Sequence, residues 1–78
     1  MATIEFEGRM VQYDETVISR WSFQHKALKA SQIEFVHLMA DVLFEDQYAV
    51  AEQFGDSNEK MTELILAICK EMNENAKN

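Results

Sequence analysis

The sequence contains no proline and only two glycines, Gly8 and Gly55, in 78 residues. Because these residues most often interrupt helices and strands, their scarcity predicts regular elements along almost the whole chain. The single cysteine, Cys69, excludes an internal disulfide and favours a reducing compartment. No apolar run is long enough for a membrane-spanning helix, and the first ten residues lack the basic and apolar parts of a signal peptide. We expect a small cytoplasmic protein.

Positive charge is also scarce, since seven Lys and Arg stand against fourteen Asp and Glu and give a net charge of −7. Residues 1–30 carry four acids and four bases, so the whole excess of acid falls after residue 30. Binding to nucleic acid or to an anionic membrane needs clustered Lys and Arg. We therefore expect no direct nucleic-acid ligand and no membrane binding. A basic protein partner remains compatible with the charge.

Apolar residues, by contrast, make up 47% of the chain, which is too high a fraction for a disordered protein. The segment TIEFEGRMVQY, residues 3–13, alternates apolar and polar residues around Glu7 and Gly8. A glycine at that point supplies the positive φ of a tight hairpin turn, so residues 1–13 are predicted to form a β-hairpin. Two strands alone are marginal in water, and the hairpin must therefore pack on helices.

Residues 14–73 are predicted to form the helical body. The first helix would begin at Asp14, which can cap it, and would carry Val17, Trp21 and Leu28 on one face. Ile18, Phe23 and Ala27 would widen that face. The same stretch is rich in β-branched and aromatic residues, which also tolerate a strand.

The next helices have clearer start signals. Ser31 and Glu34 form the S-x-x-E pattern of a capping box, which marks the start of a central helix. Asp46 can cap a shorter helix that ends at Gly55, and Asp56 opens a D-x-x-E start signal for the last helix. Apolar residues recur every three or four positions along that last helix, at Met61, Leu64, Ile65, Ile68 and Met72.

These segments together predict one mainly α domain over residues 1–78, with an N-terminal β-hairpin followed by a compact three- to four-helix body. The hairpin would occupy residues 1–13 and the helical body residues 14–73. The polar residues 74–78 are predicted to form a frayed tail.

The sequence contains few residues in patterns that indicate catalysis or metal binding. His37, Asp41 and Glu45 recur every four residues and share one helical face, which would suit a metal ligand set or a carboxylate-oriented base. A solvated polar face with ordinary pairing between successive turns is the simpler interpretation. Cys69 lies well inside the last helix, which favours a packed thiol over a reactive one. We predict no enzyme activity, no cofactor and no metal site.

Large apolar residues exceed what one apolar stripe per helix requires. A well-filled small core would account for the surplus, and so would an exposed apolar patch that binds a protein partner. The candidate partner-binding residues for such a patch are Phe35, Leu38, Met39, Val42, Phe44, Tyr48 and Phe54.

Three consecutive passages suggest a family. The hairpin TIEFEGRMVQYD leads into ETVISRWSFQHKAL, and then into FVHLMADVLFEDQYAVAEQFGDSNEKMTELILAICKEM, where LFEDQ and FGD flank a short helix before an amphipathic one. This order resembles the small tail assembly chaperones of long-tailed bacteriophages. The resemblance implies a non-enzymatic chaperone that coats the long tape-measure protein and keeps it soluble until the tail tube is built around it. It also implies self-association, and often a longer form made by ribosomal frameshifting.

The acidic charge allows a second function from a different class. A small acidic inhibitor, such as an anti-CRISPR or another blocker of a nucleic-acid enzyme, could use the −7 to mimic a phosphate backbone toward a basic cleft. Such binding would weaken steeply with salt, whereas an apolar chaperone contact would not.

Overall fold

The computed structural model describes residues 1–76, and it confirms the predicted fold class of an N-terminal hairpin followed by four helices. The predicted tail is helical over residues 74–76, and its last two residues lie outside the described residues. The elements in chain order are β1 Ala2–Phe6, β2 Arg9–Tyr13, a 3-10 turn Val17–Ser19, α1 Trp21–Ala27, α2 Gln32–Leu43, α3 Gln47–Gln53 and α4 Asn58–Ala76.

The hairpin has the predicted turn. β1 and β2 pair antiparallel with Phe6 opposite Arg9, which leaves a two-residue loop. Both loop residues have positive φ, 50° at Glu7 and 80° at Gly8, as the tightest hairpin turns require. The resulting register turns one face of the hairpin toward the helices, and buries Ile4, Val11 and Tyr13 there.

Two side-chain contacts fasten the turn end of the hairpin to the helices. The ring of Phe6 meets the ring of Phe54 edge to face, with 5.4 Å between centroids. The Glu7 carboxylate lies 2.7 Å from Lys60 Nζ, and this hydrogen-bonded pair raises the pKa of Lys60 above its ordinary value. The hairpin therefore packs on the helical body, which a two-stranded sheet needs for stability.

The first predicted helix is wrong over its first half. Asp14 does not cap a helix, because its Oδ1 instead accepts hydrogen bonds from the backbone N–H of Thr16 at 3.0 Å and from the Thr16 hydroxyl at 2.6 Å. This local turn leads into the 3-10 turn, and Arg20 is extended, with ψ of 132°. The Gln24 side chain then donates to the carbonyl of Ile18, which an uninterrupted helix would use itself.

The break at Arg20 changes which side chains of α1 face inward. Phe23 is buried, whereas Trp21 and Leu28 are 81% and 83% exposed. The single apolar face predicted from Val17 through Trp21 to Leu28 therefore does not exist. Of those three residues only Val17, in the preceding 3-10 turn, reaches the core.

The caps of the later helices follow the sequence more closely. Ser31 and Glu34 form the predicted capping box at the start of α2. Asp46 caps α3 through hydrogen bonds from two backbone N–H groups, and Gly55 follows α3 with φ of 73°. The start of α4 differs, because Ser57 rather than Asp56 accepts the capping hydrogen bond, from the N–H of Lys60.

The core lies mainly between α2 and α4 and is closed by the hairpin. The predicted stripe of α4 is confirmed, since Leu64, Ile65, Ile68 and Met72 are buried and Met61 packs against them. The facing residues of α2 are Val36, Met39, Ala40 and Leu43.

Candidate protein-binding site

The seven residues predicted to form an apolar patch are divided between core and surface. Met39 is fully buried and Phe44 is 6% exposed, so neither is accessible to a partner. This corrects their assignment to the patch: Met39 lies on the inward face of α2, and Phe44 ends that helix against the core. Tyr48, in contrast, is 78% exposed on α3. Four others are partly buried against the core, namely Phe35, Leu38, Val42 and Phe54.

A groove lies between α2, α3 and α4, and Tyr48 stands at its edge. The groove has a volume of about 440 Å³, and Val36, Ala40 and Ile65 contribute apolar surface to its floor. A second hollow of about 320 Å³ shares part of this lining and extends it to Ile33. Ile33 is 74% exposed, so large apolar side chains stand at both ends of the combined groove.

The charged residues of this groove are acidic. Asp41 and Asp56 both line it, and no Lys or Arg is found among the described residues that do so. Asp41 accepts a hydrogen bond from Gln47 Nε2 at 2.6 Å, which ties the end of α2 to the start of α3. We call this surface the acidic groove. It consists of the apolar floor, Ile33 and Tyr48 at its ends, and the two aspartates Asp41 and Asp56.

The predicted row of His37, Asp41 and Glu45 on one helical face does not form, because α2 ends at Leu43 and Glu45 lies beyond it; all three residues are exposed. His37 and Asp41 line the acidic groove, while Glu45 faces a separate hollow beside the hairpin. Among the described residues, no group of three His, Cys, Asp or Glu is arranged to hold a metal ion.

The single thiol is partly buried and packs against the core. Burial raises the pKa of Cys69 above its ordinary value, which keeps the thiol protonated and lowers its nucleophilicity. Its neighbours around a shallow apolar hollow include Phe23 and Phe35. These surroundings favour a packing role for Cys69.

The sequence also failed to identify a second surface, on α1. Trp21 stacks on His25 with 6.0 Å between ring centroids and 19° between ring planes. Leu28 follows one further turn along the same side, and Lys26 and Lys29, both exposed, share the flank of α1 that borders α2. We call Trp21, His25, Leu28 and these two lysines the basic face. The missed signal was the run of bases without acids in residues 20–30, which marks a surface unlike the rest of the chain.

Comparisons with known proteins do not indicate what binds to these two surfaces. No helix within residues 1–76 is long and apolar enough to cross a membrane. No protein-family model, curated protein or solved structure matches the chain.

Proposed function

We propose that this protein is a non-enzymatic chaperone or adaptor of phage tail assembly that shields a long helical client of the tape-measure type. It would act in the cytoplasm of the host cell. The observation that carries the protein-binding part is the acidic groove, an accessible trough of mixed polar and apolar lining with an apolar floor and large apolar side chains at both ends. The resemblance of the sequence to the tail assembly chaperones supports the choice of client.

The acidic groove suits a helix-in-groove contact. An amphipathic client segment would lay its apolar side chains on the floor, between Ile33 and Tyr48. Covering an exposed side chain of the size of Ile33 contributes about 1.5–3 kcal/mol. Asp41 and Asp56 would favour client segments whose apolar residues are flanked by Lys or Arg.

The test is a capture experiment in which tagged wild-type and variant proteins are produced with the phage proteins. We expect the wild type to retain a very long helical protein at high salt, because the contact is mainly apolar. Tyr48→Asp should weaken the capture by about tenfold, since it places a charge in the apolar contact, while the helical circular dichroism stays unchanged.

Leu66→Asp is the matched control. Leu66 is 45% exposed on α4 but does not line the acidic groove, so its replacement should leave the capture unchanged. Equal capture by wild type, Tyr48→Asp and Leu66→Asp would remove the groove from the proposal. Loss of capture in both variants would mean that the client binds elsewhere or that the fold has changed.

Self-association is a further part of the proposal, which rests on the family resemblance. We expect sedimentation equilibrium to give a mass above the 9.1 kDa of one chain. A single 9.1 kDa species across a wide concentration range would contradict it.

The second candidate function is the small acidic inhibitor of a nucleic-acid enzyme. It is favoured by the exposure of the acids: nine of the ten that follow residue 30 are exposed. In the part of the chain that the structure describes, the three ion pairs use Glu7, Asp14 and Glu15, and none uses an acid after residue 30. Capture of a basic nuclease that is lost as salt rises would support this function over the chaperone.

A further inference from the structure

The basic face of α1 combines exposed apolar side chains with unneutralised positive charge. Trp21 and Leu28 are the two most exposed large apolar residues, at 81% and 83%. They are seven positions apart, and Leu28 still has helical φ and ψ, so they lie on the same side, about 10 Å apart along the axis. His25 lies between them and stacks on Trp21. The outer side of α1 is therefore a short apolar seam.

The charge around this seam is opposite to that of the chain as a whole. Residues 20–30 contain three of the seven Lys and Arg and none of the fourteen acids. Arg20 is committed to Asp14, at 3.2 Å. Lys26 and Lys29 form no ion pair with any described residue.

A hollow between α1 and α2 is lined by His25 and the two lysines, but not by Trp21 or Leu28. Leu38 of α2, which is partly buried, adds apolar surface to this hollow. The one carboxylate that lines this hollow, Glu34, is already hydrogen-bonded to the backbone N–H of Ser31 in the capping box. The two lysines thus remain available to an acidic ligand.

We propose that the basic face docks an acidic amphipathic helix of a protein partner. Leu or similar side chains spaced by three, four and seven positions on that helix would cover Trp21 and Leu28. Glu or Asp on its flanks would pair with Lys26 and Lys29. The acidic groove favours the opposite charge, so this is a separate docking site that does not rest on the proposed chaperone function.

Two other ligand classes fit the basic face less well. A single-stranded nucleic acid could stack on Trp21 and contact the lysines, but it would leave Leu28 exposed to water. An anionic membrane could cover the apolar seam, but a flat surface would also bring its headgroups close to acids outside the basic face, whereas a single helix contacts the basic face alone. An acidic amphipathic helix satisfies both the apolar seam and the lysines.

The fluorescence of Trp21 tests the proposal directly, because it is the only tryptophan of the chain. The probe is an 18-residue helical peptide with Leu spaced by three and four positions along one face. It carries Glu on both sides of that face. We expect a saturable blue shift of the emission as the peptide covers Trp21. A peptide with the same Leu positions and Lys flanks should bind at least about tenfold more weakly.

Variants assign the binding to named side chains. The double variant Lys26→Glu and Lys29→Glu should weaken binding of the Glu-flanked peptide about tenfold and reverse the preference between the two peptides. Leu28→Asp should weaken binding of both peptides. Lys70→Glu, a charge reversal at an exposed lysine of α4, is the matched control and should change neither.

Four outcomes would overturn the proposal. Equal affinity for the two peptides would show that the lysines do not select the ligand. Tighter binding to an oligothymidylate, or to vesicles containing phosphatidylglycerol, would assign the face to nucleic acid or to a membrane. A blue shift that grows with protein concentration in the absence of any ligand would assign it to a second copy of the chain.

Discussion

α1 and α2 are neighbours in sequence, but their ends and faces are specified very differently. α2 has twelve residues and a capping box, and it buries four side chains. α1 has seven residues and buries Phe23, and no side chain within residues 1–76 caps its N terminus at Arg20. An isolated seven-residue helix is far below the length that is stable in water. α1 therefore depends on Phe23 and on its neighbours, whereas α2 carries its own start signal and much of the core.

The two helices also differ in how much of their apolar surface is buried in the core and how much is exposed to water. The apolar side chains of α2 are mostly buried in the core or packed against it, and only Ile33, in its first turn, is largely exposed. On α1 the largest apolar side chain, Trp21, faces water. A residue that contributes little to folding and yet leaves a large apolar surface in water is a candidate for binding.

The largest effect that this comparison predicts within α2 is at Met39. Met39 is fully buried, so Met39→Ala would leave a cavity and destabilise the fold by about 2–5 kcal/mol. A domain of this size rarely has more than about 3–5 kcal/mol in its core, so the variant should be partly or wholly unfolded at 25 °C. Urea denaturation followed by circular dichroism measures the loss.

Met39→Leu is the control for that experiment. It keeps the volume and the apolar character, and should cost less than about 1.5 kcal/mol. If Met39→Ala had the same urea midpoint as the wild type, Met39 would not be a core residue, and its original assignment to a partner-binding patch would return.

An intermediate effect is expected at the capping box. Ser31→Ala removes the acceptor for the N–H of Glu34 and should cost about 1 kcal/mol. Ser22→Ala, at an exposed position within α1, should be neutral or slightly stabilising, because Ala has the higher helix propensity. The urea midpoint of Ser31→Ala should therefore fall below that of the wild type, whereas the midpoint of Ser22→Ala should stay the same or rise slightly. Equal midpoints would mean that the box does not anchor α2.

Most of the fold could be predicted because its signals are local. The turn at Gly8 and the caps at Ser31 and Asp46 depend on residues within a few positions of each other. The periodicity of α4 is local too, and all four helices were anticipated in type. The wrong prediction at Asp14 also concerned a local signal, since an Asp can cap a helix or close a turn, and here it closes a turn with Thr16.

The candidate site was predicted less well because exposure is not local. Phe44 and Tyr48 are both aromatic and stand four positions apart, yet one is 6% and the other 78% exposed. Between them α2 ends and Asp46 caps the start of α3, so Phe44 closes one helix and Tyr48 lies on the next. Which aromatic faces the core depends on the angle between α2 and α3, and no pattern along the chain contains that angle. The basic face was hidden for the same reason, by the break at Arg20.

The smallest effect is expected at Trp21, although it is the largest side chain of α1. Because Trp21 is 81% exposed, Trp21→Ala should change the free energy of unfolding by less than about 0.5 kcal/mol. Phe23→Ala, two positions along the same helix, removes a buried ring and should cost about 3–5 kcal/mol. Chemical denaturation of both variants, at a fixed low protein concentration, measures the contrast.

A loss of more than 1 kcal/mol for Trp21→Ala would break the contrast between α1 and α2, because the indole would then contribute to the stability of the chain in solution. Repeating the denaturation of wild type and Trp21→Ala at tenfold higher concentration separates the two ways in which this could arise. A midpoint that rises with concentration more in the wild type than in the variant would place Trp21 in a contact between chains, since association stabilises the folded state by mass action. The same concentration dependence in both proteins would mean that α1 packs its tryptophan against its own chain, and the basic face would lose the apolar seam on which docking depends.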